Sequence, residues 1–238
     1  MRKELEFLQS ELNKSYDELL KIESNKITIE PLFTFESNIE LKHKNRSCKI
    51  YPFDSGQIPK YVFEWDDCPI FEISSTNLKR QGEIIINWVL KKSMPSVMKT
   101  HFSEIELGEL AKYYEKGEGI KGEFIESWNL TEETRNKLFS IEPNQADKDA
   151  IRLIKEMRNI KLDELLRIGT RLSVLILSRA RRHIINDNTP HIGIVFLGNN
   201  RMKIYSNLND KKKSLECEVK YEGYLEGIIK KILKEKIK

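Results

Sequence analysis

The sequence predicts an α+β fold, and three observations support this prediction. Between residues 26 and 75, short segments alternate apolar and polar residues in the way typical of strands. The middle of the chain instead repeats apolar residues at steps of three and four, as helices do. Strand-like alternation then returns after residue 190. Hydrophobic residues make up 39% of the 238 positions, and they are spread along the whole chain, which predicts a folded core.

The chain opens with a predicted amphipathic helix. Its apolar side carries Leu5, Leu8, Leu12, Tyr16 and Leu19, with Glu and Lys filling the other faces. About two and a half heptads form only a marginal coiled coil in isolation. We therefore expect this helix to pack on its own domain or on a partner protein.

A small sheet of short strands is predicted next. The segments are rich in β-branched and aromatic residues and are separated by turn residues such as those at 54–56 and 66–67. The predicted strands are residues 26–35, 39–42, 48–53, 61–65 and 70–73.

A central helical bundle is predicted after the sheet. Pro95 and Gly117 separate its first helices, and a long helix opens at residues 143–147. That helix is expected to run to the basic segment 179–183, with an all-apolar stretch at 172–177 that indicates burial. The other predicted helices are residues 78–90, 104–115, 124–128 and 131–139.

The last part is predicted to return to β structure. Residues 191–197 and 201–205 form a hairpin around Gly198-Asn-Asn200, followed by a third strand at 214–221 and a terminal amphipathic helix. The predicted domains are 1–75 (helix plus small β region), 76–186 (helical) and 187–238 (hairpin and C-terminal helix). The last two are also compatible with a single unit.

Composition narrows the function classes. The formal net charge of +4, from 41 basic and 37 acidic residues, suits a nucleic-acid partner without requiring one. Three cysteines without a CxxC pair argue against a zinc site and a disulfide framework. The N-terminus lacks the apolar core of a signal peptide, and no apolar run approaches the ~20 residues that span a bilayer. We expect a cytoplasmic protein in a reducing environment, with no membrane partner.

Motifs for nucleotide binding and for nucleophilic catalysis are absent from the sequence. There is no GxxxxGK[ST], GxGxxG or GxSxG, and the glycine-rich segment 116–122 joins helices, so it is interpreted as a surface turn. His183 and His191 flank a predicted loop without further ligands nearby. The sequence therefore predicts no resident metal, no cofactor and no catalytic residue, with one alternative.

That alternative is a metal-dependent nuclease. Glu40-Leu-Lys42 matches the E-x-K half of a PD-(D/E)xK site, in which acids on neighbouring strands hold Mg²⁺ and the lysine helps to orient or activate water. Glu30 stands where such a site has an aspartate, and Glu11 or Glu18 would supply an acid from the first helix. The usual aspartate is missing, and an exposed strand face with alternating charge explains the same residues.

Basic residues are the candidates for nucleic-acid contact. A dense group follows the apolar stretch 172–177, and a lysine run follows the last hairpin. Contact there would act through charge neutralisation rather than base recognition. A helix C-terminus that favours cations accounts for the first group equally well. The candidate nucleic-acid-binding residues are Arg179, Arg181, Arg182, His183, Lys211, Lys212 and Lys213.

Two amphipathic helices, one at each end of the chain, are the candidate partner-binding elements. The first carries the leucines described above, and the second carries isoleucines at helical spacing. The candidate partner-binding residues are Leu5, Leu8, Leu12, Leu19, Ile228, Ile229 and Ile232.

Parts of the chain resemble the GINS complex, the replicative-helicase scaffold of archaea and eukaryotes. The residues that carry the resemblance lie at 27–33 and 51–56 for a small β domain, at 77–81 for a joining helix, and at 146–166 for a long basic helix. The N-terminal helix and the C-terminal hairpin with its helix depart from that family. The resemblance implies a scaffold in DNA replication that acts through protein–protein contacts and has no catalytic residues.

The sequence therefore favours a non-catalytic intracellular interaction protein associated with DNA-handling machinery. Its expected partners are other protein subunits, together with DNA or RNA. The alternative is the PD-(D/E)xK-like nuclease, of a restriction or phage-defence system, with Mg²⁺ as its cofactor. A toxin-neutralising partner protein is a further class compatible with the sequence.

Overall fold

The computed structural model describes residues 28–31, 39–51, 58–182, 189–208 and 214–237. The predicted N-terminal helix with Leu5, Leu8, Leu12 and Leu19 lies outside these residues, as do Glu11, Glu18, His183 and Lys211 to Lys213. The chain groups into two compact units, residues 1–117 and 118–238. Both contain helices and an antiparallel sheet, which confirms the predicted α+β class.

The first unit is built on a six-stranded antiparallel sheet in which each strand lies beside its neighbour in sequence. Tight turns join successive strands at Lys44-Asn45 and at Asp66-Asp67. Lys44, Asp66 and Asp67 have positive φ angles, a conformation that Asp adopts more readily than most residues. The strands are β1 (Thr28–Pro31), β2 (Ile39–His43), β3 (Arg46–Tyr51), β4 (Lys60–Trp65), β5 (Cys68–Ser74) and β6 (Glu106–Leu107).

Helices cover one face of this sheet. They are α1 (Leu78–Ile85), which continues into a π-helical turn (Ile86–Leu90), α2 (Pro95–His101) and α3 (Glu109–Glu115). Trp88 in the π-helical turn is fully buried, and its indole N–H donates to the carbonyl of Glu64 at 3.0 Å. Its ring meets Phe71 edge-on with centroids 4.9 Å apart. A tryptophan with a satisfied N–H at the centre of the core anchors the helical layer on the sheet.

The alternation of strand residues separates an apolar face from a polar face. Leu41, Cys48 and Phe63 are neighbours across β2, β3 and β4, and all three are buried in the core. Their sequence neighbours Lys42, Ser47 and Glu64 are likewise aligned across the same three strands. Because successive side chains point to opposite sides of a sheet, these polar residues lie together on the other face.

The second unit combines two long helices, a five-stranded antiparallel sheet and a terminal helix. The elements are α4 (Gly119–Ile141), α5 (Gln145–Asn159), a 3₁₀ turn (Leu162–Glu164), β7 (Arg167–Arg171), β8 (Val174–Ser178), β9 (His191–Gly198), β10 (Arg201–Ser206), β11 (Leu215–Glu218) and α6 (Tyr224–Ile232). The strand order in the sheet is β11-β10-β9-β8-β7. The core between sheet and helices includes Trp128, whose indole N–H donates to the carbonyl of Leu166 at 2.7 Å.

The prediction that the long helix continues to the basic segment after residue 178 is wrong. The helix ends at Asn159, where Lys161 takes up a left-handed conformation with φ 60°, and residues 167–178 form the β7–β8 hairpin. A short apolar run such as 174–177 is buried on both faces of a strand, so its pattern does not distinguish a strand from a buried helix. The predicted 191–205 hairpin, the third strand and the terminal helix are confirmed, within shorter bounds for the last two.

Several predicted boundaries shift. The segments 124–128 and 131–139 are parts of the single helix α4, and Pro95 occupies the first turn of α2, where proline is tolerated. Residues 106–107 join the sheet, which shortens the helix predicted at 104–115. The boundary between the two units lies between residues 117 and 118, inside the predicted helical domain 76–186. The helices of that predicted domain belong to two separate hydrophobic cores.

The turn of the β7–β8 hairpin contains an unfavourable residue, and we expect its replacement to stabilise the protein. Leu172 has φ 55° and is 96% exposed, so its side chain gains nothing from packing. Left-handed backbone costs an ordinary residue about 1 kcal/mol, whereas Asn tolerates it. Leu172→Asn should raise the free energy of unfolding by about 0.5–1 kcal/mol in urea titrations. Leu172→Ala is the control, and equal stability of the two variants would contradict this expectation.

Candidate functional site

Three carboxylates converge on the polar face of the first sheet. Glu40 lies on β2, Glu64 near the end of β4, and Asp67 in the turn that follows β4. One side-chain oxygen from each lies within 4.8 Å of the others. We call these three residues the carboxylate cluster. Two lysines and a serine surround it on the same face.

Each of the surrounding groups contacts a carboxylate directly. The Lys42 ammonium contacts Asp67, and the Lys49 ammonium donates to Glu64 at 2.9 Å. The Ser47 hydroxyl donates to the other oxygen of Glu64 at 3.0 Å. Three carboxylates against two ammonium groups leave one formal negative charge. These partners satisfy the buried Glu64 side chain, so its burial does not in itself require a cation.

Both lysines are held in the charged form. The hydrogen bond to Asp67 is the main reason why the pKa of Lys42 is raised. For Lys49, burial lowers the pKa, but the hydrogen bond and charge of Glu64 outweigh burial and the pKa stands above its ordinary value. A lysine with a raised pKa is a poor base at neutral pH. These side chains therefore supply positive charge rather than accept a proton.

The carboxylate cluster has the chemistry of a divalent-cation site. Mg²⁺ and Mn²⁺ prefer oxygen ligands, and two ligands on opposite sides of a Mg²⁺ ion are about 4 Å apart. Carboxylate oxygens within 4.8 Å of one another need only small side-chain movements to share one such ion. Asp67 and Lys42 are exposed, which leaves the cluster open to solvent on one side.

One of the predicted nuclease residues belongs to the carboxylate cluster, and a second contacts it. Glu40 is one of its carboxylates and Lys42 contacts another, as the E-x-K motif suggested. Glu30 lies on β1 directly opposite Glu40 in the strand register. Sequence reasoning missed Glu64 and Asp67. Their only signal was the acidic segment Glu64-Trp-Asp-Asp67 at the end of a strand, and its place beside Glu40 depends on the register.

Two of the predicted nucleic-acid-binding arginines form ion pairs with an acidic residue of the same unit. Arg181 and Arg182 reach Glu123 on α4 at 2.8 and 3.2 Å, and the Glu123 side chain is only 1% exposed. Arg167 donates to the carbonyl of Arg181 at 2.9 Å, and Arg179 is half-buried. These arginines follow strand β8 rather than ending a helix. Their proposed contact with phosphate stays a prediction and has to compete with Glu123.

The C-terminal partner-binding residues are core residues. Ile228, Ile229 and Ile232 are 4%, 0% and 0% exposed, and they pack in the hydrophobic core of the second unit. Their proposed contact with a partner stays a prediction, and a partner would have to compete with this packing. An amphipathic helix packs on its own sheet as readily as on another protein, and its sequence does not distinguish the two.

The cysteines offer no reactive nucleophile. Burial raises the pKa of Cys48 well above its ordinary value, and burial also raises that of Cys217. Cys68 is buried, and none of the three, all of which are described, forms a disulfide. Thiolate chemistry requires a lowered pKa and access to solvent.

Comparisons of this chain with protein-family models, with curated proteins and with solved structures find no match. The resemblance to the GINS complex accordingly stays a prediction. No helix in the described part of the chain is both long and apolar enough to cross a bilayer.

Proposed function

We propose that the first unit binds a divalent cation at the carboxylate cluster and hydrolyses phosphodiester bonds of nucleic acid. The observation that carries the proposal is the convergence of Glu40, Glu64 and Asp67 next to Lys42. Acids from neighbouring segments with a lysine two residues after one of them are the parts that metal-dependent phosphodiester hydrolysis uses.

The residues divide into two roles. Glu40, Glu64 and Asp67 would hold the cation, which when bound lowers the pKa of water and polarises the phosphate. Lys42, which remains protonated, would stabilise the negative charge that develops on the phosphate oxygens. Lys49 and Ser47 fix the orientation of Glu64 through hydrogen bonds.

Two features lower the support for the interaction protein that the sequence favoured. The C-terminal isoleucines, which represented one of its contact surfaces, are buried in the core. Arg181 and Arg182, which represented its nucleic-acid surface, contact Glu123. The carboxylate cluster, by contrast, brings two acids that the sequence did not single out, Glu64 and Asp67, close to Glu40 and Lys42.

The direct test is a cleavage assay. Labelled single- and double-stranded DNA and RNA are incubated with the purified chain in Mg²⁺, in Mn²⁺ and in EDTA. We expect shortened products with at least one substrate, in the presence of metal alone. Intact substrates under every metal condition would refute the proposal.

Lys42→Met is expected to separate metal binding from cleavage. Removal of the ammonium takes a positive charge from beside Asp67 and makes the cluster more negative, so Mn²⁺ affinity should rise. The loss of a positive charge beside the phosphate should lower the cleavage rate about 10²-fold or more. Calorimetric titration with Mn²⁺ and single-turnover cleavage give the two quantities. A parallel fall of both would show that Lys42 only maintains the structure of the site.

A non-catalytic interaction protein of a DNA-handling assembly is the second candidate. It is favoured by large apolar side chains on the surface of α4, where Leu130, Leu138 and Ile141 are 60%, 48% and 72% exposed. A protein that only binds would leave every substrate intact in the cleavage assay and retain nucleic acid in a salt-dependent manner.

A further inference from the structure

Helix α4 carries an ordered stripe on its solvent-exposed side. Leu130, Glu133, Lys137 and Ile141 follow one another at spacings of three, four and four, and all four are exposed. At 3.6 residues per turn these positions lie on one face. We call them the outer stripe. Single exposed apolar residues are common on protein surfaces, whereas this stripe sets a glutamate and a lysine between two of them.

The other side of α4 already packs in the core. Phe124 and Trp128 are buried there, together with Thr131 and Arg135. Arg135 donates to Asp147 at 2.7 Å and to the carbonyl of Ser173 at 3.2 Å. The helix is therefore apolar toward its own core and apolar again at both ends of the outer stripe.

We propose that the outer stripe pairs with the outer stripe of a second copy of this chain, in antiparallel orientation. An antiparallel copy centred near Arg135 places Leu130 opposite Ile141 and Glu133 opposite Lys137, and each contact occurs twice. This reciprocity is what a two-fold symmetric interface requires. A parallel pair would instead set Glu133 against Glu133, and charges beside an apolar seam determine orientation in this way.

The charges of the outer stripe are available for such pairing. Within the described residues, neither the Glu133 carboxylate nor the Lys137 ammonium takes part in an ion pair. Two apolar side chains per copy, Leu130 and Ile141, form a contact smaller than the roughly 20–30 residues on each side of a standard interface. We therefore expect a dimer that dissociates on dilution. The inference uses residues of the second unit alone and is independent of the proposed function.

Sedimentation velocity of the full chain across a wide range of concentrations tests the dimer. The wild type should shift from monomer to dimer as the concentration rises. Ile141→Glu should remain monomeric throughout, whereas Leu197→Glu, at another exposed apolar position of the same unit, should still dimerise. A wild type that stays monomeric, or a dimer that survives Ile141→Glu, would overturn the proposal.

Charge reversal tests the antiparallel orientation without depending on one apolar side chain. Glu133→Lys and Lys137→Glu alone should each weaken the dimer about tenfold, since each creates like-charge contacts twice per dimer. The double reversal exchanges the two charges and should restore an affinity close to that of the wild type. A double variant as weak as the single variants would exclude this pairing.

Discussion

Glu40→Ala is expected to lower metal-dependent cleavage at least about a hundredfold, since removing one of three ligands costs both cation affinity and orientation. The same change should leave the fold intact or stabilise it. Glu40 lies within 4.8 Å of two other carboxylates, and removing one negative charge relieves their repulsion. Loss of activity without loss of stability distinguishes a functional carboxylate from a structural one. Cleavage rates and thermal unfolding of the same preparation give both quantities.

Glu72→Ala is the matched control for this prediction. Glu72 lies on β5 of the same sheet, is exposed, and pairs with Lys60 at 2.7 Å outside the carboxylate cluster. Its loss should leave the cleavage rate unchanged, because Glu72 is not part of the carboxylate cluster. It should also leave the fold intact, because exposed ion pairs contribute little to stability. Equal activity of Glu40→Ala and Glu72→Ala would contradict the assignment of Glu40.

Among the variants considered, Glu123→Ala is expected to cause the largest loss of stability, about 3 kcal/mol in the free energy of unfolding. The buried Glu123 carboxylate receives hydrogen bonds from Arg181 and Arg182. Its removal takes away a buried negative charge that both guanidinium groups contact. Both arginines retain some exposure, which places the loss at the lower end of the range for buried pairs.

Urea titration measures this loss, with Glu216→Ala as the control. Glu216 pairs with Arg201 at 3.2 Å on the surface of the same unit, and both side chains are about half exposed. The control should lose less than about 0.5 kcal/mol. A similar small loss in Glu123→Ala would mean that the arginines find water or other partners when Glu123 is removed.

The strands of the first sheet were largely predictable. Residues 39–42 alternate apolar and polar side chains, and 61–65 is a run rich in β-forming residues that ends at Asp66-Asp67, so local pattern and final structure agree. The 167–178 hairpin was not predictable, because a run that is buried on both faces has no period to read. The turn at Leu172 has no Gly, Asn or Asp to signal a hairpin.

The site was half predictable for a related reason. Glu40 and Lys42 lie two residues apart in sequence, so a motif finds them. Glu64 and Asp67 join them only through the register of three strands, which depends on which face is buried. The C-terminal isoleucines show the converse. Their spacing predicted a helix, but it did not indicate that they pack in the core of their own unit.

Calorimetric titration of Mn²⁺ into the purified chain tests the central claim most directly, because it measures cation binding without requiring the right substrate. We predict a single site per chain that Glu40→Ala abolishes and Glu72→Ala preserves. The absence of binding, or binding that is the same in the wild type and in Glu40→Ala, would contradict a cation site at Glu40, Glu64 and Asp67.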